Sequence, residues 1–220
     1  MVSDTKQSAN PQLEKLLIEY VSCKACPLYK DRPCYIIGRG NPNAKLVFVV
    51  DKFSMSDIRQ ETVLTDSHEN LLMSILKNCN MEMSDVWLTP AVSCAIRDLS
   101  DPKISEIKAC RERLSKELHY IQPELVVAMG TVAVKAMFPK NPPPIGVNLG
   151  KIKDAYITGD LVDYAVPVMI TNSISILLRS PDPSPGGPWR KFYANVVDAI
   201  NIVAQLEKLE KEPIEDERTA

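Results

Sequence analysis

No stretch of the chain approaches the roughly 18 consecutive apolar residues that a bilayer-spanning helix needs. The opening Met1-Val2-Ser3-Asp4-Thr5-Lys6-Gln7-Ser8 lacks the apolar core of an export signal. Membrane embedding and secretion are therefore not expected, and a cytoplasmic location is. Positive charge is not in excess: 26 Lys and Arg stand against 28 Asp and Glu, a net charge of −2. That excludes nucleic-acid binding through a strongly basic arm and leaves only a local patch. Internal repeats and low-complexity tracts are missing, and His68 and His119 are the only two histidines.

What is present is the composition of a folded chain. Hydrophobic residues make up 45% and charged residues 25%, ordinary globular values, and 220 residues fit one large domain better than two small ones. We expect a disordered start over residues 1–10, one domain over 11–206, and an acidic tail over 207–220. From Glu207 to Arg218 six acidic residues face three basic ones. The helical pattern there meets Pro213, so the tail is expected to fray as solvated surface rather than dock.

Hydrophobic periodicity orders the rest. Gln12 to Ser22 carries Leu13, Leu16, Leu17 and Tyr20 at helical spacing. Leu46-Val47-Phe48-Val49-Val50 is a continuous apolar run, the pattern of a strand buried on both faces. A polar loop and a helix from Glu69 to Asn78 follow, then a strand over Val86–Thr89. Asp101-Pro102 opens a helix over Lys103–Tyr120. Leu125–Met129 is a third strand, ended by Gly130, and Thr131–Phe138 a short helix. Val166–Thr171 is a fourth strand, and a long last helix begins near Trp189. Strands alternating with helices predict an α/β fold, a three-layer α/β/α sandwich around a central four-stranded parallel sheet. Ligands of such sheets bind beyond the carboxyl ends of the strands, here the loops after Val50, Thr89, Met129 and Thr171. The run Lys140 to Pro144 reads as a stiff connector.

Six cysteines without an export signal are not expected to form disulfides. Cys23-Lys24-Ala25-Cys26 is a CxxC, and Cys94 and Cys110 enclose fifteen residues. Four thiolates suit a structural zinc or an iron–sulfur cluster; the wide second interval departs from a zinc ribbon, and the six also fit as ordinary buried cysteines. Cys79 sits among apolar helical positions and reads as core, while Cys34 lies close enough to the CxxC to be an alternative ligand.

Cys23-Lys24-Ala25-Cys26-Pro27-Leu28-Tyr29-Lys30 resembles the opening motif of the iron–sulfur uracil-DNA glycosylases of family 4. Gly38 to Val49 resembles the segment leading into their first strand, Glu106 to Arg111 their segment around the last cluster ligand, and Pro123 to Thr131 their third strand and turn. Thr171 to Arg179 is similar to the final motif in length and in Leu177-Leu178-Arg179. The resemblance spans roughly Cys23 to Ala199. It implies a uracil-DNA glycosylase-like fold, DNA as the partner, and a [4Fe-4S] cluster on Cys23, Cys26, Cys94 and Cys110, with zinc as the alternative.

The catalytic positions depart from that pattern. The family's Gly-Glu-Ala-Pro-Gly after the first strand falls on Val50-Asp51-Lys52-Phe53-Ser54; Asp51 keeps a carboxylate that is one methylene shorter. The stacking aromatic falls on Leu64, which has no π-face. The uracil-reading Asn falls on Pro90, which has neither an amide side chain nor a backbone N–H. The His-Pro-Ser falls on Ser173-Ile174-Ser175. Losing a donor to the developing oxyanion costs about 10²–10³ in rate. Uracil excision is therefore expected to be absent or very weak, with Asp51 and Ser173 the residual candidates. The alternatives are an active glycosylase with a non-standard site and a metal-stabilised protein scaffold.

For DNA binding, single- or double-stranded, the candidates are Ser175, Arg179 and Lys191 near the final motif, with Ser184 beside them. Lys108 and Arg111 join Lys103, Arg113 and Lys116 in a basic patch on one helix. The alternative is that the patch pairs with Glu106, Glu112 and Glu117 on a solvated face. His68 reads as a helix-start residue or a rescuing catalytic group, His119 as a complement to its helix's negative end. Asp57 reads as a turn or cap residue, and Trp189 as an anchor of the last helix or a stacking surface. A replication or repair protein is the expected partner beside DNA.

Overall fold

The computed structural model describes residues 10–138, 156–157, 166–179 and 184–211. The expected disordered start, apart from Asn10, and the proline run lie outside these residues. The elements run α1 (Pro11–Val21), β1 (Arg39–Gly40), β2 (Leu46–Val50), α2 (Met55–Gln60), α3 (Asp66–Asn78), β3 (Val86–Pro90) and α4 (Ile104–Ile121). They continue with β4 (Leu125–Met129), α5 (Thr131–Met137), β5 (Tyr156–Ile157), β6 (Val166–Thr171), α6 (Ile174–Arg179) and α7 (Pro188–Lys211). Helix α7 continues to Lys211, so the acidic stretch begins inside a helix, and residues 212–220 lie outside the described ones.

The strand order is β1-β3-β2-β4-β6-β5. The four expected strands form the parallel centre, with Phe48 opposite Leu88 on one side and Val127 on the other. Beyond the expected four, β1 and β5 add antiparallel edges of two residues each, too short to leave a period-two pattern. Every residue of β2, β3 and β4 is buried, which is why these strands read as unbroken apolar runs.

Two cores sandwich the sheet. On one face Leu13 and Leu16 of α1, Ile107, Leu114 and Leu118 of α4, and Val132 and Ala136 of α5 cover Val47, Val49, Val126 and Ala128. On the other, Leu72 and Leu76 of α3, Leu177 of α6, and Phe192 and Val196 of α7 cover Phe48, Val50, Val127 and Met129. Period-two alternation of β2 and β4 thus feeds both helical layers.

Helix ends are fixed by side chains. Asn10 Oδ1 accepts from Leu13 N at 3.1 Å while its Nδ2 donates to Tyr120 O at 2.9 Å, tying α1 to α4. Ser54 and Asp57 form a reciprocal capping box on α2. Asp57 also accepts from Thr65 N and Thr65 Oγ1 at 2.8 and 2.7 Å, so its role is the cap expected of it. Among the described residues no helix is long and apolar enough to cross a membrane.

Candidate functional site

Strands β2 and β4 are neighbours, and the chain leaves β2 toward β3 on one side and β4 toward β6 on the other. Their carboxyl ends therefore open a crevice at the switch point of the sheet. Asp51 stands directly after β2 and Gly130 directly after β4. Gly130 has φ 92°, and a Cβ built on it would collide with the Asp51 carboxylate. Only glycine fits there, for conformation and for space.

Asp51 is 7% exposed. Ser173 Oγ, brought in from beyond β6, donates to its Oδ1 at 2.9 Å. Burial lifts the carboxyl to about 6, against the Ser173 hydrogen bond and the charge of Lys52. Lys52 itself is engaged with Asp101 at 2.6 Å. The fold thus brings together the two residues expected to carry any residual chemistry. The open cleft beside them is lined, among the described residues, by Asp51, Lys52, Phe53, Val92, Cys94, Ile96 and others, with about 20 Å³ of room for water.

Pro90 closes β3 in register with Val50 of β2. Its carbonyl accepts from Arg113 Nη2. Arg113, expected among the exposed phosphate ligands, is instead 1% exposed and paired with the fully buried Glu117 one turn on. Glu117 also accepts from Trp87 Nε1 at 2.7 Å and Thr89 Oγ1 at 2.9 Å. Gly38 leaves room for this carboxylate, since a Cβ there would meet both Glu117 Oε1 and the Trp87 indole. The network fastens the end of β3 to α4. Charges on an amphipathic helix ordinarily read as surface, yet Arg113 and Glu117 recur at the spacing of the buried Ile107, Leu114 and Leu118.

Leu64 sits in the core at 1% exposure and does not line the cleft. Its φ of 60° is left-handed, a strained state for a side-chain-bearing residue. Arg39 holds it, donating to Val63 O at 2.9 Å and to Leu64 O and Glu69 Oε1 at 2.7 and 2.9 Å.

The remaining candidates are dispersed. Ser175 and Arg179 share α6, where Arg179 Nε donates to Ser175 O at 3.1 Å; Lys191 is in the first turn of α7, and Ser184 is exposed just before it. Lys103 and Lys108 are exposed on or beside α4, while Arg111 Nε donates to Ala136 O of α5 at 2.9 Å. Lys116 pairs with Glu112 at 2.7 Å, and Glu106 accepts from Lys103 N at 2.7 Å. The patch is therefore partly the paired face weighed against it. His68 is half-buried, and burial holds it below the usual histidine range despite Asp57; no contact takes it to Asp51. His119 meets Tyr120 edge-on. Trp189 stacks on Tyr193 at 5.5 Å and packs on the core, anchoring α7.

The four cysteines gather on one side of this cleft. Cys26 is within electrostatic range of Cys110 and Cys23, and Cys94 of Cys110 and Cys26. Burial pushes the Cys94 thiol up to about 11, against Arg32 Nη1, which donates to Cys94 Sγ at 3.2 Å. Among the described residues no three His, Cys, Asp or Glu side chains are arranged to hold a single metal ion. Cys34 lies apart, with Sγ 3.7 Å from Ile58 O, and Cys79 ends α3 against the core.

A doubly wound α/β protein with its candidate site at the carboxyl edge of the sheet is the class that the fold defines. The family model described as the uracil DNA glycosylase superfamily matches residues 37–199, and the chain belongs to that superfamily. Its similarity within the superfamily is to type-4 members. It is 30% identical over 129 residues to the type-4 uracil-DNA glycosylase of Sulfurisphaera tokodaii, covering 58% of this chain and 59% of that one. Against the type-4 uracil-DNA glycosylase of Archaeoglobus fulgidus it is 27% identical over 126 residues, 57% of this chain and 63% of that one. Against that of Saccharolobus solfataricus it is 24% identical over 170 residues, 77% and 78%. The chain spans less than two thirds of the length of the first two relatives.

Proposed function

We propose that the chain is a glycosylase-fold protein that engages DNA but excises uracil very weakly or not at all, acting as a DNA- or protein-binding accessory in replication or repair. The observation that carries this reading is Pro90. At the place of the uracil-reading amide it offers no side-chain donor and no N–H, and its carbonyl is committed to Arg113. The seating of Leu64 in the core agrees with it. Extruding a nucleotide from the stack requires a pocket that repays the unstacking, and a core-seated Leu64 gives such a pocket no stacking face.

A structural [4Fe-4S] cluster on Cys23, Cys26, Cys94 and Cys110 belongs to the same reading. The chemistry around the thiols fits an anionic group. The buried Arg113 guanidinium lies against the Cys110 side chain, and the buried Tyr35 hydroxyl, beside Ser93, is in electrostatic range of Cys110. When bound, the cluster would tie the loop after α1 to the segment after β3 and to α4; no chemical step is assigned to it.

One observation favours a second reading. Asp51, lifted to about 6 and hydrogen-bonded to Ser173, is poised as a general base for water, so an active glycosylase with a non-standard site is the runner-up. Base release from uracil-containing oligonucleotides separates the two, and salt-dependent DNA binding separates both from a scaffold that binds protein alone.

A further inference from the structure

We propose that Arg32, Tyr35 and Arg113 form a hydrogen-bond donor shell around the four-thiolate site, positioning its ligands and stabilising their negative charge. The inference rests on the cluster reading above and concerns residues to which that reading gives no role as ligands.

Two donors reach the site from the connection between α1 and β1 and the third from α4. Arg32 follows the CxxC: its Nη1 donates to Cys94 Sγ at 3.2 Å and to Cys23 O at 3.3 Å, and its Nη2 to Val21 O at 2.7 Å. One guanidinium thus spans the loop carrying two ligands and the segment carrying a third. Tyr35 forms an antiparallel bridge with Cys94, an arrangement that sets paired side chains about 5 Å apart at Cβ. The Arg32 guanidinium lies over the Tyr35 ring, 4.8 Å from its centre, which fixes both side chains together. Arg113 stands three residues after Cys110 on α4, on the same helical face.

Two of these donors are buried where water cannot serve them. Tyr35 Oη and Arg113 Nε lack a well-aligned partner; the Arg113 guanidinium lies against the Cys110 side chain, and the Tyr35 hydroxyl against Ser93, next in sequence to Cys94. A buried donor short of a good acceptor forfeits hydration, so an acceptor arriving beside it is favoured. Three of the four Nη hydrogens of Arg113 go to Glu117, Thr89 and Pro90, which leaves Nε and one Nη2 hydrogen for other acceptors. Thiolates and the sulfides of a cluster are acceptors, and donors to them retain ligands and stabilise the more negative, reduced state.

The full chain, purified without oxygen and with iron content and absorbance near 400 nm established, provides the test. Reduced cluster is quantified by electron paramagnetic resonance at a fixed dithionite-set potential, and iron release to a chelator is timed. Tyr35→Phe keeps the ring and removes only the hydroxyl; Arg32→Gln removes the charge, and Arg32→Lys keeps it. Tyr35→Phe and Arg32→Gln are each expected to lower the reduced-to-oxidised ratio about tenfold and to speed iron release about 10–100-fold. Arg32→Lys should recover most of the ratio. Complete iron loss from Tyr35→Phe during purification is the extreme of the same result. Ratios equal to the parent in iron-loaded variants, whatever their melting temperature, would overturn the shell and leave the cluster standing. A parent chain that takes up no iron would overturn both.

Discussion

Replacing Asp51 by Asn should stabilise the protein, and by an amount that depends on pH. The carboxyl is 7% exposed and titrates at about 6 when folded, against an ordinary value of 3.8. A difference of about two units corresponds to about 3 kcal/mol between the protonation states. The folded state holds the Asp51 proton more tightly than the unfolded chain does. Folding stability therefore falls as pH rises through the window between 3.8 and about 6, and the full destabilisation is present above it. Asn is neutral throughout and its side-chain oxygen still accepts from Ser173, so the variant escapes this penalty. The groups facing Asp51 are Ser173 and Lys52, and Lys52 keeps its partner Asp101 in both proteins. The gain of Asp51→Asn over the parent should be near zero below about pH 4 and reach about 3 kcal/mol above about pH 7. For a protein of this size that is roughly 6–12 °C in melting temperature. Paired urea or thermal unfolding across that range measures the difference, and titrations common to both proteins cancel. A gain independent of pH, or a loss of stability at neutral pH, would refute the reasoning.

Glu117→Ala leaves the Arg113 charge buried and unpaired and should destabilise by about 3–5 kcal/mol in urea unfolding; a change under 1 kcal/mol would mean that water replaces the carboxylate. Gly130→Ala combines φ 92° with a collision against Asp51 and should lose at least about 1–3 kcal/mol, measured by thermal unfolding. Cys110→Ser should lower the melting temperature of iron-loaded protein; an unchanged value would remove the cluster from the fold's support. DNA affinity should fall steeply between low and physiological salt, and Lys108→Ala and Arg179→Ala together should flatten that slope; a salt-independent affinity would point to protein partners instead.

Much of the layer order was legible because central parallel strands are buried on both faces. Leu46 to Val50 and Leu125 to Met129 read as strands from their unbroken apolar runs, and the helices between them from three- and four-residue spacing. What stayed hidden was short or charged. The two-residue edges β1 and β5 carry no period, and α2 and α6, six residues each, are single turns and a half held by caps and packing. At the site, Asp51 and Ser173 are legible as the positions on which the resembling family's motifs fall, and the fold brings them within 2.9 Å. Arg113 was misplaced on the surface because a lone charge on an amphipathic helix is usually solvated. Glu117 one turn on shares its helical face, but the burial of the pair depends on Thr89 and Pro90 of β3 meeting Arg113 and Trp87 meeting Glu117, a tertiary circumstance that the helix pattern alone does not announce. The left-handed backbone at Leu64 is likewise invisible in sequence, since the Arg39 bonds to Val63 O and Leu64 O come from a distant segment.

Base release is the most direct measurement. Cluster-loaded protein would be incubated with single- and double-stranded oligonucleotides carrying one uracil, and abasic product scored after alkaline cleavage. With Pro90 at the reading position and Leu64 seated in the core, no product above the protein-free control is the expected result. Robust release that disappears in Asp51→Asn would contradict it and establish a working site built on Asp51 and Ser173.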